Sequence, residues 1–242
     1  MPDLSVTHLL AAAVVFAAAF VHGLSGFGSA LVAMPLLALL LPIRTVAPLV
    51  ALLTLTQNAW LLLLQRRSVS TGKVVPLIAG ALVGIPFGVV FLARVDEGVV
   101  TLALGVSLTA YALFSLLRQR PLQVAGNRWG LLMGLLSGCL GGAFNVGGPP
   151  AVVYLSAQPW KKEEIHASLQ LYFFLAGPMI VVFHLLSGLT TGPVVRWYLL
   201  LLPALVAGSA AGLALHRRVS GDVYRKLVYL LLLALGILLL VK

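Results

Sequence analysis

Long apolar runs separated by short polar clusters dominate this sequence, and their lengths predict how often the chain crosses a membrane. A helix needs about 20 apolar residues to cross a hydrocarbon core of roughly 30 Å. Residues 46–64, 74–93, 98–117, 165–186 and 197–215 meet this requirement. Residues 227–241 meet it if Arg225 and Lys226 extend their side chains to the interface. We therefore predict six full membrane spans.

Two further runs are too irregular to form single spans. Residues 4–43 lack charge throughout and would form a helix about 60 Å long, twice the core thickness. A glycine-rich segment interrupts this run at residues 22–29, and another interrupts residues 129–160 at 141–150. Dense glycine breaks a helix, and proline is favoured where one begins. The pattern predicts two broken elements, with short helices restarting at about 30–41 and 150–160.

The two broken elements are similar enough to indicate an internal repeat. A shift of 119 positions places Gly23 on Gly142 and Gly28 on Gly147. Further along, a shift of 124 aligns two copies of the pattern G-x3-G-x5-R-V, one beginning at Gly84. We predict two transmembrane repeats, residues 1–120 and 121–242, within one membrane domain. Small residues spaced by four also predict close helix packing, as at Gly80, Gly84, Gly88, Gly208 and Gly212.

Composition excludes several classes of protein. Hydrophobic residues make up 61% of the chain and charged residues only 9%, with a mean hydropathy of +1.08. A soluble domain carries roughly 25% charged residues, so a soluble enzyme, a DNA-binding domain and a disordered chain are excluded. The net charge of +10 does not indicate nucleic-acid binding, because the 16 basic residues lie in short clusters between apolar runs.

The basic residues also predict a topology, because cytoplasmic loops are enriched in Lys and Arg. If each broken element crosses the membrane once, the basic residues divide equally between the two sides. If each element returns to its starting side, all but four of the 16 share one side; the four are Arg44, Arg94, Arg196 and Lys242. We therefore expect an all-α polytopic membrane protein with two inverted-topology repeats, each a broken helix or helical hairpin plus three transmembrane helices. The protein is expected in the plasma (inner) membrane, with both termini outside the cytoplasm.

The breaks are the candidate binding site. A helix N-terminus carries partial positive charge and free N–H groups, and two such ends at the midplane predict an anion site. Predicted substrate-binding residues at the breaks are Ser25, Gly26, Phe27, Gly28, Ser29, Asn145, Val146, Gly147 and Gly148. Polar span residues that we also predict to bind substrate are Gln57, Asn58, Gln170 and Tyr172. For the adjacent pair Gln57 and Asn58, hydrogen bonds to neighbouring helices are an equally open alternative.

Ionisable residues are scarce within the spans, where they are functional suspects by default. The six carboxylates all lie at segment ends or in loops, which argues against acid–base catalysis by paired carboxylates. The titratable candidates are His22, His184 and Cys139, and only His22 adjoins a break. His22 is therefore the candidate for proton coupling, and His184 and Cys139 are expected to be packing residues. We expect no metal, no cofactor and no enzymatic activity. The expected partners are a small anion and the lipid bilayer, and the sequence is also compatible with binding of a second copy of the chain.

Three motifs resemble the TauE/SafE family of sulfite exporters: HGLSGFGSALVAMPLL (22–37), GLLSGCLGGAFNVGGPP (134–150) and IHASLQLYFFL (165–175). The resemblance extends over the whole chain. It implies a prokaryotic plasma-membrane transporter that moves sulfite, sulfonates or related sulfur oxyanions, mostly outward. Two positions depart from the family's pattern: His166 stands where relatives often carry Arg, and Asn145 replaces a frequent Gly.

Two alternatives to a carrier stay open on the sequence. An anion channel would use the same site. A rhomboid-like intramembrane serine protease is suggested by Gly23-Leu24-Ser25-Gly26, which matches a G-x-S-G string. A four-residue string is weak evidence, and the rhomboid layout has fewer spans and no inverted repeat. A secondary transporter that exports a sulfur oxyanion is the interpretation we prefer.

Overall fold

A computed structural model describes residues 4–26, 28–64, 74–117, 126–160, 162–215 and 221–241. Within these ranges the chain forms ten α-helices and no β-strand. The helices of the first half are α1 (Leu4–Ser25), α2 (Ser29–Ala38), α3 (Ile43–Leu64), α4 (Val74–Arg94) and α5 (Glu97–Leu117). Those of the second half are α6 (Asn127–Phe144), α7 (Gly148–Ser156), α8 (Lys162–Leu186), α9 (Gly192–Leu215) and α10 (Gly221–Val241).

The predicted membrane character is confirmed for the part of the chain that the structure describes. Five helices there are long and apolar enough to cross a bilayer, and they lie in α1, α4, α5, α8 and α9. Large apolar side chains remain exposed on these helices, as lipid-facing side chains of a membrane protein do; examples are Leu9, Phe87, Val106, Leu185 and Leu199. The all-helical, multi-pass fold follows from these two observations.

Both halves contain the predicted order of elements, a broken element followed by three long helices. The restarting helices begin at Ser29 and Gly148, within two residues of the predicted starts, but they end earlier than predicted. The reason is proline: Pro42 and Pro159 follow them closely, and a residue that precedes proline is disfavoured in the helical conformation.

The helices group into two compact units that do not follow the two halves of the sequence. The first unit comprises α1, α2, the part of α3 up to Leu53, α5, α9 and α10. The second comprises the part of α3 from Thr54 onward, α4, α6, α7 and α8. Each unit therefore contains one of the two breaks.

In the first unit, α1 and α9 run in the same direction. The rings of His8 and Trp197, near the starts of the two helices, stack with centroids 4.5 Å apart. Further along, a Cβ atom at Gly208 would overlap the carbonyl oxygen of Phe16. The close packing predicted for the glycines of α9 is confirmed here, because only a residue without a side chain permits this approach.

By contrast, α5 and α10 of the first unit run in opposite directions. A Cβ atom at Gly105, early in α5, would lie 3.1 Å from the carbonyl oxygen of Gly236, late in α10. The rings of Tyr111 and Tyr229 meet edge to face with centroids 5.9 Å apart, so later residues of α5 meet earlier ones of α10. The start of α5 therefore lies beside the end of α10.

A cavity of about 680 Å³ marks this end of the first unit. It is lined by the end of α2 and the turn to α3, by the start of α5, and by Leu239 and Leu240 of α10. Glu97 ties two of these segments together, because its Oε1 accepts a hydrogen bond from the Ile43 N–H at 2.7 Å. The end of α2, the start of α5 and the end of α10 thus share one end of the unit.

In the second unit, α4 and α6 are parallel and pack backbone against backbone. A Cβ atom at Gly80, Gly84 or Gly88 of α4 would overlap a carbonyl oxygen of α6. The glycines of α6 face α4 in the same way, and the sequence analysis had not identified them as partners; they are Gly134, Gly138 and Gly142. The predicted close packing of α4 is confirmed, and it positions α6 and therefore the second break.

Candidate functional site

The first break is a short connection between α1 and α2 that contains two glycines in an unusual backbone conformation. Gly26 and Gly28 have φ angles of 80° and 99°, a left-handed conformation that residues with a Cβ rarely adopt. The Gly26 N–H donates to the carbonyl oxygen of His22 at 2.7 Å, which closes the last turn of α1. The glycines predicted to allow the break are therefore required there by backbone geometry.

A side-chain contact joins the two sides of this break. His22 Nδ1, in the last turn of α1, lies 2.9 Å from Oγ of Ser29, the first residue of α2. Both side chains are buried, and His22 is only 3% exposed. The second ring nitrogen, Nε2, is buried without a hydrogen-bond partner. The break thus holds an imidazole at the N-terminus of α2 with one nitrogen uncommitted.

The second break uses different means to end α6. Asn145 adopts a left-handed conformation with φ of 56°, which asparagine tolerates better than most residues with a side chain. The Asn145 and Val146 N–H groups donate to the carbonyl oxygens of Gly141 and Leu140. His184 of α8 satisfies the next carbonyl, because its Nε2 lies 2.8 Å from the oxygen of Gly142. His184 is therefore a structural hydrogen-bonding residue, as expected from the sequence.

A chain of hydroxyl groups holds the start of α7. Ser137 Oγ of α6 donates a hydrogen bond to the carbonyl oxygen of Gly147. The Tyr172 hydroxyl of α8 lies 2.6 Å from the same Ser137 Oγ. Serine has one hydroxyl proton, and Gly147 receives it, so the Tyr172 hydroxyl must be the donor to Ser137. The proton of Tyr172 is therefore used within the protein.

The two restarting helices differ in the N–H groups that they present. The first residues of α2 are Ser29, Ala30 and Leu31, each with an N–H that has no acceptor within the helix. The corresponding residues of α7 are Gly148, Pro149 and Pro150. Proline has no N–H, so the first three residues of α7 offer one N–H donor where the first three of α2 offer three.

Comparison with known proteins identifies the family of this chain. Residues 10–239, nearly the whole chain, match the family described as sulfite exporter TauE/SafE. The chain belongs to the TauE/SafE sulfite exporter family. It is therefore a multi-pass membrane protein of a transporter family, and the family resemblance of the three sequence motifs is confirmed.

A curated relative of this TauE/SafE protein is the probable sulfite/organosulfonate exporter TauE of Cupriavidus necator (strain H16). It is 26% identical over 242 residues, which cover 98% of this chain and 93% of the relative. The similarity therefore extends across both breaks and all the helices. No solved structure matches the chain.

The predicted site residues of this TauE/SafE protein fall into both units. Gly26, Gly28, Ser29 and the coupling candidate His22 belong to the first, where the structure brings His22 and Ser29 into contact. The predicted residues in the second unit are Gln57, Asn58, Asn145, Val146, Gly147, Gly148, Gln170 and Tyr172. Phe27 and the side chains of Ser25 and His166 lie outside what the structure describes. Among the described residues, no cluster of His, Cys, Asp or Glu has the size to hold a metal ion.

All four polar span residues, Tyr172 among them, are buried in the second unit. Gln57 and Asn58 lie in α3 and Gln170 lies in α8. The Oδ1 atom of Asn58 is buried without a hydrogen-bond partner, which costs roughly 1–3 kcal/mol for a buried polar group. Ser137 is the residue that the sequence analysis missed. As a lone serine among glycines and leucines, it carried no local signal.

Proposed function

We propose that this protein is a secondary transporter that exports a small sulfur oxyanion, sulfite or an organosulfonate, and that the broken elements bind it. Family membership and the relative's printed name support the substrate class. The observation that carries the binding site is the first break, where three N–H groups and a buried imidazole meet at one helix N-terminus. Helix N-termini bind oxyanions through the partial positive charge and the N–H groups exposed there.

This arrangement suits a negatively charged substrate in a membrane. A cationic side chain buried at membrane depth is costly, whereas backbone N–H groups supply positive potential without a full charge. In the first break, Gly28 keeps side-chain atoms away from the start of α2, where an added Cβ atom would contact Leu31 Cδ1 at 3.9 Å. The missing Cβ atom favours close approach of an oxyanion to the N–H groups of α2.

The directions of the helices in the first unit support a second broken element that returns to its starting side. Because α5 and α10 are antiparallel, α10 starts on the side where α5 ends. Between these two points the chain passes through the second broken element, α8 and α9. If α8 and α9 each cross once, they return the chain to its side, so the broken element makes no net crossing.

The same reasoning applies to the first break. If α9 and α10 each cross once, α10 ends on the side where α9 starts, and α1 starts on that side too because it is parallel to α9. The end of α2 also lies beside the end of α10, at the cavity. The element α1–α2 therefore enters and returns. Two returning elements and an antiparallel α5 and α10 support the proposed inverted repeat of residues 1–120 and 121–242.

The proposed orientation places both termini outside the cytoplasm of a plasma membrane. It follows from the bias of basic residues toward the other side. A reporter that is active only in the cytoplasm, fused to the C-terminus, should be inactive, and the same reporter inserted at residues 118–125 should be active. The reverse pattern would overturn this orientation.

Transport in proteoliposomes tests the function. Purified protein in vesicles loaded with labelled sulfite or a short alkanesulfonate should accelerate efflux, with sulfate and acetate as competing anions. External unlabelled sulfite should stimulate efflux of the label, because a carrier exchanges substrate and an anion channel does not. A preference for acetate, or the absence of sulfite transport in sealed vesicles, would contradict the proposal.

His22 is the proposed proton-coupling residue, a role supported by its burial at the first break. If it carries the proton, His22→Gln should flatten the pH dependence of sulfite flux, and His184→Gln should not. A full pH response in His22→Gln would leave the substrate itself as the proton carrier.

A further inference from the structure

The His22 and Ser29 side chains have more donor protons than the hydrogen bond between them uses. A neutral imidazole carries one N–H and serine carries one O–H, so the pair has two donor protons. One hydrogen bond joins them, between Nδ1 and Oγ at 2.9 Å, and it uses one of these protons. The other proton remains available in either tautomer. The first break therefore holds a buried donor that the protein does not use.

An anion bound at the start of α2 would decide which atom of the pair carries this free proton. If Ser29 donates to Nδ1, the free donor is the N–H at Nε2, the atom that is buried without a partner. If Nδ1 donates instead, Nε2 presents a lone pair. A lone pair would repel an anion bound at the start of α2, so such an anion selects the tautomer with the proton on Nε2.

We propose that His22 Nε2–H donates a hydrogen bond to the bound oxyanion, with Ser29 holding the imidazole in the required tautomer. The proposal rests on the proposed function, and it gives His22 a substrate contact in addition to any role in proton coupling. The N–H groups of α2 bind one oxygen and Nε2–H binds another. Sulfite and sulfonates have three oxygens on one sulfur, which suits donors arranged on two sides.

Two amide substitutions at His22 test the contributions of the two ring nitrogens separately. His22→Asn places its amide near the position of Nδ1, so it retains the contact with Ser29 and removes the donor at Nε2. His22→Gln places its amide near the position of Nε2 and retains that donor. Losing one hydrogen bond to a charged group predicts about a tenfold or greater loss of sulfite affinity in His22→Asn. His22→Gln should remain within about threefold of the unsubstituted protein.

His184 provides the matched control, because its roles are reversed: Nε2 makes the structural bond to Gly142 and Nδ1 is unpartnered. His184→Asn should lower thermal stability in detergent more than His184→Gln, and sulfite affinity per folded molecule should change in neither. Equal sulfite affinity in His22→Asn and the unsubstituted protein would overturn the proposal. So would a loss in His22→Gln that matches the loss in His22→Asn.

A spectroscopic measurement keeps the proposal testable if a His22 variant does not fold. In the unsubstituted protein labelled with ¹⁵N-histidine, sulfite should shift one protonated Nε2 resonance, and Ser29→Ala should weaken that response. Sulfite flux that occurs without any shift in a histidine resonance would overturn the proposal and leave the transport function intact. Absence of both flux and binding would instead count against the proposed function.

Discussion

At the first break, His22 and Ser29 bond to each other and leave one donor proton uncommitted. At the second break, by contrast, Tyr172 donates to Ser137, and Ser137 donates to the carbonyl oxygen of Gly147. The first three residues of α2 present three N–H groups, whereas the first three residues of α7 present one. We infer that the first break contributes most of the substrate contacts and that the second is held rigid by its hydrogen bonds.

The largest difference between the breaks should appear when Gly28 and Gly147, which the predicted repeat aligns, are replaced. A Cβ atom at Gly147 would lie 2.5 Å from the Ser137 carbonyl oxygen, where neither backbone can yield easily. We expect Gly147→Ala to cost about 3 kcal/mol of stability, at the upper end for overpacking. A Cβ atom at Gly28 would make only an ordinary contact with Leu31 Cδ1 at 3.9 Å, so Gly28→Ala costs only the strain of its positive φ, about 1–2 kcal/mol.

Thermal unfolding in detergent and sulfite binding together measure this contrast. Gly28→Ala should lose affinity in the protein that remains folded, because its methyl group lies in front of α2. Gly148→Ala is the control for stability, since its nearest neighbour is a Phe173 ring atom at 3.6 Å, an ordinary contact. If Gly28→Ala binds sulfite normally, the anion does not approach the start of α2 past residue 28.

A double-mutant cycle should give an intermediate effect at the second break. Ser137→Ala leaves the Gly147 carbonyl and the Tyr172 hydroxyl buried without their partner, at a cost of about 1–3 kcal/mol. Tyr172→Phe leaves the bond from Ser137 to Gly147 in place and should cost about 0.5–1.5 kcal/mol. The double variant should lose less stability than the sum of the losses in Ser137→Ala and Tyr172→Phe, because it no longer contains a Tyr172 hydroxyl without a partner.

The same cycle tests the predicted substrate contact of Tyr172. If the Tyr172 proton is used by Ser137, Tyr172→Phe changes thermal stability and leaves sulfite affinity unchanged. Reduced affinity at normal stability would favour the interpretation made from the sequence, in which Tyr172 contacts the substrate directly.

The difference between these two networks explains what the sequence could predict. Glycines and prolines act through their own backbone, so the breaks, the restarting helices and the glycine packing could be predicted locally. The bond between Ser137 and Tyr172 joins residues 35 positions apart on different helices. It depends on how α6 packs against α8, which no spacing in the sequence specifies. His22 was identified because it adjoins the break, and its pairing with Ser29 required coordinates.

The smallest effect should come from giving α7 the donors that α2 already has. Replacing Pro149 and Pro150 with alanine adds two N–H groups to the first turn of α7. An anion near a helix N-terminus gains about 0.3–1 kcal/mol, so we expect sulfite affinity to rise about two- to fivefold. Pro159→Ala, beyond the end of α7, is the matched control and should leave affinity unchanged. Because alanine at these positions also loosens the helix start, affinity is compared at equal folded fractions.

An increase in sulfite affinity would indicate that the start of α7 faces the substrate and that its prolines limit binding. Unchanged affinity would remove α7 from the site and assign anion binding to the first break alone.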